Sequence, residues 1–319
     1  FHPSLRPCKN YEAIFTQARA EFRHQHASLE VHTEISVSPE DDVELRRIRI
    51  TNRSSVQRRI ELTSYSEVVL THPAAEAMHP AFNNLFIQTE FLPEASALLC
   101  SRRASSPEET PPWLIHLMLV QAGEPDQISC ETDRLRFIGR GGTLQAPLAL
   151  KQIAPLSNTV GAVLDPIVSL RRTVILPPHA TTVVDLVLGM AENRELALAQ
   201  IEKYQSSLMA DRAFDLAWTH SQVTLRQLNA TDGEAQLYGR LAKALIFADA
   251  SRRASPTLLR SNTRSQSGLW SYGISGDVPI VLLQIRDSEK MELVRQLIRA
   301  HSYWRMKGLA VELVILNED

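Results

Sequence analysis

Between Phe15 and Gly189 the chain reads as strand after strand with no helix-length pattern among them, and this restricts the fold more than any other feature. In "SLEVHTEISVS", Leu29, Val31, Thr33, Ile35 and Val37 alternate with Glu30, His32, Glu34 and Ser36. Successive side chains of a strand point to opposite faces, so a period of two gives one face to a core and the other to water. "SPEDD" (Ser38–Asp42) reads as an exposed turn with solvated acids, Pro39 setting its φ. "VELRRIRITN" resumes the alternation, with Val43, Leu45, Ile48 and Ile50 inward if a bulge at Arg46–Arg47 absorbs the extra residue. "RRIELTSYSEVVL", "LFIQTEF", "SALLCSRR", "WLIHLMLVQ", "PIVSLRRTVILPP" and "TTVVDLVLGMAE" continue the series between Pro and Gly turns. Many strands joined as hairpins, without βαβ alternation, predict a large antiparallel β-sandwich.

The pattern changes near Asn193, which is placed to cap a helix. Leu196, Ala199, Ile201 and Tyr204 then recur at helical spacing. Phe214, Ala217, Trp218, Ser221, Leu225 and Leu228 form the stripe of a longer helix, and Leu237, Leu241, Leu245 and Ile246 that of a third. A short buried helix is expected at Pro279–Ile285, then a helix stopped by Gly308, then a strand in "LAVELVIL". The expected organisation is a sandwich over 1–190 with its N-terminal part missing, a helical linker over 191–231 and a truncated helical domain over 232–319. Both ends read as cut from something longer.

A net charge of −2 over 319 residues, with arginines spread along the chain, gives no basic field for nucleic acid or anionic lipid. No apolar run approaches the ~18 residues of a membrane span, and no segment of the sequence reads as a signal peptide, so neither is expected in it. Cys8, Cys100 and Cys130 are far apart, with neither C-x-x-C nor zinc spacing, and are expected as reduced, mostly buried thiols in a reducing compartment. His24 and His26 share a strand face with His32 nearby, yet no matching acid or cysteine cluster completes a metal site, so none is assigned. "FIGRGG" (Phe137–Gly142) offers glycines and Arg140 without dinucleotide or Walker spacing and reads as a hairpin turn. No G-x-S-x-G nucleophile motif occurs.

"QSGLWSYGISGDVPIVLLQI" (Gln266–Ile285) stands apart. Gly268, Gly273 and Gly276 permit close backbone approach, and Trp270 and Tyr272 offer flat rings of the sort sugars stack on. Asp277 fits the N-cap of the expected helix, with Pro279 in its first turn, and fits equally an acceptor for sugar hydroxyls. Trp270 fits a core position as well as a ligand platform.

"HTEISVSPEDDVELRRIRITNRS", "HPAFNNLFIQTEF", "FDLAWTHSQVTLRQLNA", the Gln266–Ile285 string and "AHSYWRMKGLAVELVILNED" resemble the carboxy-terminal phosphorylase-like region of bacterial cyclic β-1,2-glucan synthases. That region is grouped with the cellobiose and 1,2-β-oligoglucan phosphorylases in glycoside hydrolase family 94. The resemblance extends over essentially the whole chain. It implies a β-sandwich, a helical linker and the first elements of an (α/α)6 barrel.

The resemblance also implies an inverting chemistry in which an Asp general acid protonates the glycosidic oxygen while phosphate attacks the anomeric carbon, so that no second carboxylate is needed to activate water. That acid and most phosphate ligands are expected beyond Asp319, so the chain alone is expected to lack turnover and to hold no catalytic residue, cofactor or metal. Phosphate as co-substrate and UDP-glucose as donor are expected of the full-length protein, at the cytoplasmic face of the inner membrane. "SYGISGD" is similar to the family loop that holds the sugar on the non-reducing side, Asp277 matching its final Asp and Tyr272 standing where that loop has Arg. Gln266, Trp270, Tyr272 and Asp277 are therefore the expected substrate-binding residues, for β-1,2-glucan or its oligosaccharides. The sandwich is expected to supply homodimer contacts. The alternative is a non-catalytic carbohydrate-binding or scaffold module.

Overall fold

The structure, a computed structural model, describes residues 9–104, 106, 108–121, 128–151, 154–247, 249–286 and 290–318; Cys8 lies outside them. Two compact units, 1–220 and 221–319, divide the chain.

The first unit is a large antiparallel sandwich followed by helices. Its strands are β1 (Lys9–Phe15), β2 (Ala20–His26), β3 (Leu29–Val37), β4 (Val43–Asn52), β5 (Arg58–Thr63), β6 (Ser66–Glu67), β7 (Ile87–Leu92), β8 (Ala97–Arg102), β9 (Trp113–Val120), β10 (Ser129–Asp133), β11 (Gly161–Ala162), β12 (Pro166–Leu176) and β13 (Thr181–Ala191). Nine of them form one sheet in the order β1-β2-β3-β4-β13-β9-β8-β7-β11, and β10, β12, β5 and β6 form the second. The helices α1 (Pro73–Met78), α2 (Pro80–Asn84) and α3 (Arg134–Ile138) are single turns between strands. α4 (Arg194–Tyr204) follows the sheet, and α5 (Ser207–Gln227) crosses the division between the units.

The large sheet is covered on both faces. Val43 and Leu45 of β4, Val187 of β13, Ile115 and Leu117 of β9 and Leu99 of β8 pack on Ala197, Ile201 and Tyr204 of α4 and Ala210 and Ala213 of α5. The alternate residues, Val184, Met118, Leu114, Leu98 and Cys100, pack with Ile48 on Cys130, Val168 and Leu170 of the second sheet. Strands buried on both faces read as continuous apolar runs, as "WLIHLMLV" does. This removes the bulge expected at Arg46–Arg47: β4 runs in unbroken register with β3 and β13. Leu45 faces the helices and Ile48 the second sheet, so no extra residue needs absorbing.

The helix faces also differ from expectation. Asn193 accepts the Leu196 amide at 2.9 Å as the cap of α4, but Ala197 is buried where Leu196 was expected, and Leu196 is exposed. Trp218 stands exposed on α5, whose buried stripe runs through Ala210, Ala213, Ala217 and Ser221. "FIGRGG" is not a hairpin turn: Phe137 and Ile138 end α3, and Gly139 leaves it at φ +86.

The second unit contains α6 (Asp232–Ile246), α7 (Pro256–Ser261), β14 (Ile280–Ile285), α8 (Met291–Met306) and β15 (Glu312–Asn317). Thr231 and Glu234 form a capping box at the start of α6. Tyr238, Ala300, Tyr303, Trp304 and Val311 make its core with Leu225 and Ala235, and the Trp304 indole donates to the Tyr238 carbonyl at 2.9 Å. On α6, Leu237 and Ile246 are exposed. The helix expected at Pro279–Ile285 is β14, paired in parallel with β15. A short apolar run satisfies either period, and the partner strand, Glu312 standing opposite Ile280, decides the outcome.

Candidate functional site

Several acids, bases and guanidinia of the first unit are engaged in holding it together. Arg47, on the helix-covered face of β4, forks onto Asp185 of β13 at 2.8 and 3.1 Å, bonds Asp211 of α5 and lies 5.3 Å from the Phe214 ring centroid. Burial opposes its charge, and the two aspartates overcome that and raise its pKa. The "SPEDD" turn is exposed at Pro39, Glu40 and Asp42, as expected, but two of its acids are paired: Asp41 accepts Lys203 and the Tyr204 hydroxyl, both at 2.6 Å, and Glu40 accepts Arg212 at 2.8 Å. Burial raises the Asp41 pKa, but these hydrogen bonds and the Lys203 charge outweigh it and hold the carboxyl below its ordinary value. A groove of about 810 Å³ between this turn and α4 is lined by Pro39, Pro112, Met190 and Gln200 and carries no aromatic ring.

The expected same-face pair, His24 and His26, holds, and His32 stands apart from it. His24 and His26 lie on one face of β2, while His32 pairs opposite Arg23 on the other. There His32 Nε2 lies 3.0 Å from Glu21, and Glu21, His32 and Glu34 converge closely enough to share an ion. Arg19 and Arg23 bond Glu21 at 2.9 and 3.0 Å, Arg19 bonds Glu34 at 2.8 Å, and Arg49 also bonds Glu34. Three guanidinia already neutralise the two carboxylates, so the cluster is an ion-pair network rather than a cation site. Register across β2 and β3 assembles it, and no sequence spacing announces it.

Cys100 and Cys130 are buried free thiols, each pushed up to about 12 by burial, which makes them inert as nucleophiles. His116, fully enclosed, accepts the Ser64 hydroxyl at 2.7 Å and donates to the Val187 carbonyl at 3.1 Å. Burial takes its pKa down to about 4.

The second unit contrasts with this. A 3-10 helix, Gln266–Tyr272, ends at Gly273 in the left-handed region, φ +71. Trp270 and Tyr272 are 64% and 74% exposed, which removes the core position for Trp270. Asp277 is exposed and caps nothing, because a strand follows it. Its Oδ1 accepts Gln266 Nε2 at 2.8 Å, and no described residue bonds Oδ2. Gln266 and the Trp270 indole both donate to the Ser275 carbonyl, at 2.9 and 3.3 Å. From β15, Glu312 accepts the Ser275 and Gly276 amides at 2.7 and 2.9 Å, and these amides hold its carboxyl below the ordinary range. Glu312 is the residue of this loop that sequence reasoning missed, since it lies 37 positions from Ser275. The loop thus gathers all four expected residues into one hydrogen-bonded turn with two rings and a carboxylate oxygen facing water.

A sequence profile of the supersandwich domain of glycosyl hydrolase 94 matches residues 1–207. The chain belongs to this family. The family 94 chain is 35% identical over 316 residues to the cyclic beta-(1,2)-glucan synthase NdvB of Rhizobium meliloti (strain 1021). That alignment takes in 99% of the family 94 chain and 11% of the synthase, so the chain spans about a tenth of its curated relative. Among solved structures, a heparinase III superposes on 58% of the chain and 22% of its own, with a TM-score of 0.33 and 6% identity. The heparan sulfate lyase HepC of Pedobacter heparinus gives 58% and 22%, a TM-score of 0.32 and 8% identity. Among the described residues of this family 94 chain, no helix is long and apolar enough to cross a membrane.

Proposed function

We propose that this chain is part of a glycosyl-transferring enzyme acting on β-1,2-glucan, and that the Gln266–Asp277 loop forms one wall of a glucose subsite. The observation that carries the reading is the state of the loop: Trp270 and Tyr272 stand in water beside an exposed Asp277 whose turn is tied by five hydrogen bonds. Exposed rings offer faces to the C–H side of a pyranose, and a carboxylate with an open oxygen accepts from its hydroxyl edge. The 35% identity to a cyclic beta-(1,2)-glucan synthase supports glucan as the substrate class. In this reading residues 191–231 link the sandwich to a barrel that begins at 232. Turnover, with phosphate or UDP-glucose as co-substrate, belongs to the whole protein.

The test has two parts. Calorimetric titration of the 319-residue chain with linear β-1,2-glucooligosaccharides is expected to show binding that Asp277→Ala and Trp270→Ala each abolish at unchanged melting temperature. Incubation with phosphate is expected to release glucose 1-phosphate from a chain extended through the barrel and not from this one. A melting temperature lowered by both substitutions, without glucan binding by the parent, refutes the subsite.

A further inference from the structure

The Ser275–Gly276 peptide is the hub of the loop. Its carbonyl receives both Gln266 and the Trp270 indole, and its N–H points the other way, onto Glu312 Oε2 at 2.9 Å. The next residue, Gly276, sits at φ +71, where a Cβ would lie 3.0 Å from Leu269 Cδ1 and 3.1 Å from Gln266 Cγ. A peptide followed by a glycine in this region can rotate by half a turn with little change in the flanking chain, the step that interconverts type I and type II turns. Rotation would turn the carbonyl away from Trp270 and Gln266, and Gln266 is the residue that holds Asp277. Within the loop, nothing opposes that rotation from the N–H side; the opposing group is the Glu312 carboxylate, delivered by β15.

We propose that Glu312 is a positioning residue that locks the Ser275–Gly276 peptide in the orientation presenting Trp270 and Asp277 to sugar. The inference rests on the glucose-subsite reading above. Glu312 touches no sugar in this scheme. Its charge-assisted bond to the Gly276 amide selects one orientation of that peptide, the companion bond to the Ser275 amide holds the carboxylate in place, and β15 contributes to recognition without lining the subsite. Parallel pairing fixes where the carboxylate stands: Glu312 is opposite Ile280, and its own amide donates to the Pro279 carbonyl at 3.0 Å.

Two measurements on the 319-residue chain test the lock. Amide exchange followed by NMR should show Ser275 and Gly276 protected in the parent, unprotected in Glu312→Ala, and partly protected in Glu312→Gln, whose single amide oxygen can accept one of the two bonds. Titration with linear β-1,2-glucooligosaccharide should show affinity weakened about tenfold or more by Glu312→Ala and largely restored by Glu312→Gln. Unchanged affinity in Glu312→Ala overturns the inference and leaves the subsite standing. Absence of binding by the parent overturns the subsite reading and the inference with it, whatever the exchange data show. Equal loss in both variants with a lowered melting temperature assigns Glu312 to stability alone and also overturns it.

Discussion

In the first unit Arg47, Asp185, Asp41, Lys203, Tyr204 and His116 each have partners within the fold, and the guanidinium of Arg47 is bonded to two carboxylates at once. In the second, Trp270, Tyr272 and Asp277 face water, while the bonds around them run between backbone and supporting side chains, Gln266 and Glu312. The residue types overlap; their satisfaction differs. Polar groups that close on one another stabilise a sheet, and a supported loop that leaves rings and an acceptor open is arranged for something outside itself. Substitution should therefore act on stability in the first unit and on binding in the second.

The largest effect expected is at Arg47. Replacing it by Met leaves buried Asp185 without its counter-ion, with Gln121 still donating to it, and loss of one member of a buried pair costs about 3–5 kcal/mol. Chemical denaturation of the Arg47→Met chain should show that loss in the sandwich transition. A loss under about 1 kcal/mol, typical of exposed pairs, would erase the contrast between the units.

A pH titration sharpens the same contrast. His116 is held neutral in the fold with its pKa near 4, against about 6.5 for an unfolded histidine. Its folded pKa is depressed, so the unfolded chain binds the proton first as pH falls. The contribution is complete above about pH 6.5 and declines as pH drops toward 4. Urea midpoints measured across that window should fall for the parent and fall less steeply for His116→Gln. Identical slopes would mean that other groups dominate the acid side.

Much of the sandwich was legible because Pro and Gly turns separate strand-length apolar runs, and Asn193 and Gly308 mark helix ends by chemistry that needs no tertiary context. What remained hidden depended on partners distant in sequence. The place of Ile48 follows from a second covered face, the strand at Ile280–Ile285 from β15, and the pairing of Asp41 in "SPEDD" from Lys203 and Tyr204 of α4. The same limit divides the candidate site. Trp270, Tyr272 and Asp277 stand out as a cluster in the chain, whereas Glu312 enters through a strand beyond α8.

At Tyr204 the interaction is smaller and easier to isolate. Tyr204→Phe keeps the buried ring and deletes one hydrogen bond to Asp41, which Lys203 continues to satisfy. A bond to a charged acceptor contributes about 1.5–3 kcal/mol, and the remaining lysine should keep the loss near the lower bound. Thermal denaturation of Tyr204→Phe should show a modest drop with glucan affinity unchanged. A fall in affinity would couple the α4 anchor to the loop and weaken the division of labour between the units.

The smallest stability effect, and the one that bears most directly on function, belongs to Tyr272. Its ring is 74% exposed and ends the 3-10 helix just before Gly273, so Tyr272→Ser removes little buried area and should change the unfolding free energy by less than about 0.5 kcal/mol. If the ring serves as a sugar platform, the same substitution lowers oligosaccharide affinity several-fold, because an aromatic face contributes contact at small cost in ordering. Fluorescence-monitored titration of Tyr272→Ser beside its melting curve reads both quantities in one sample. Affinity and stability that both stay at parental values would place the ring outside the subsite and leave Trp270 and Asp277 to form the wall.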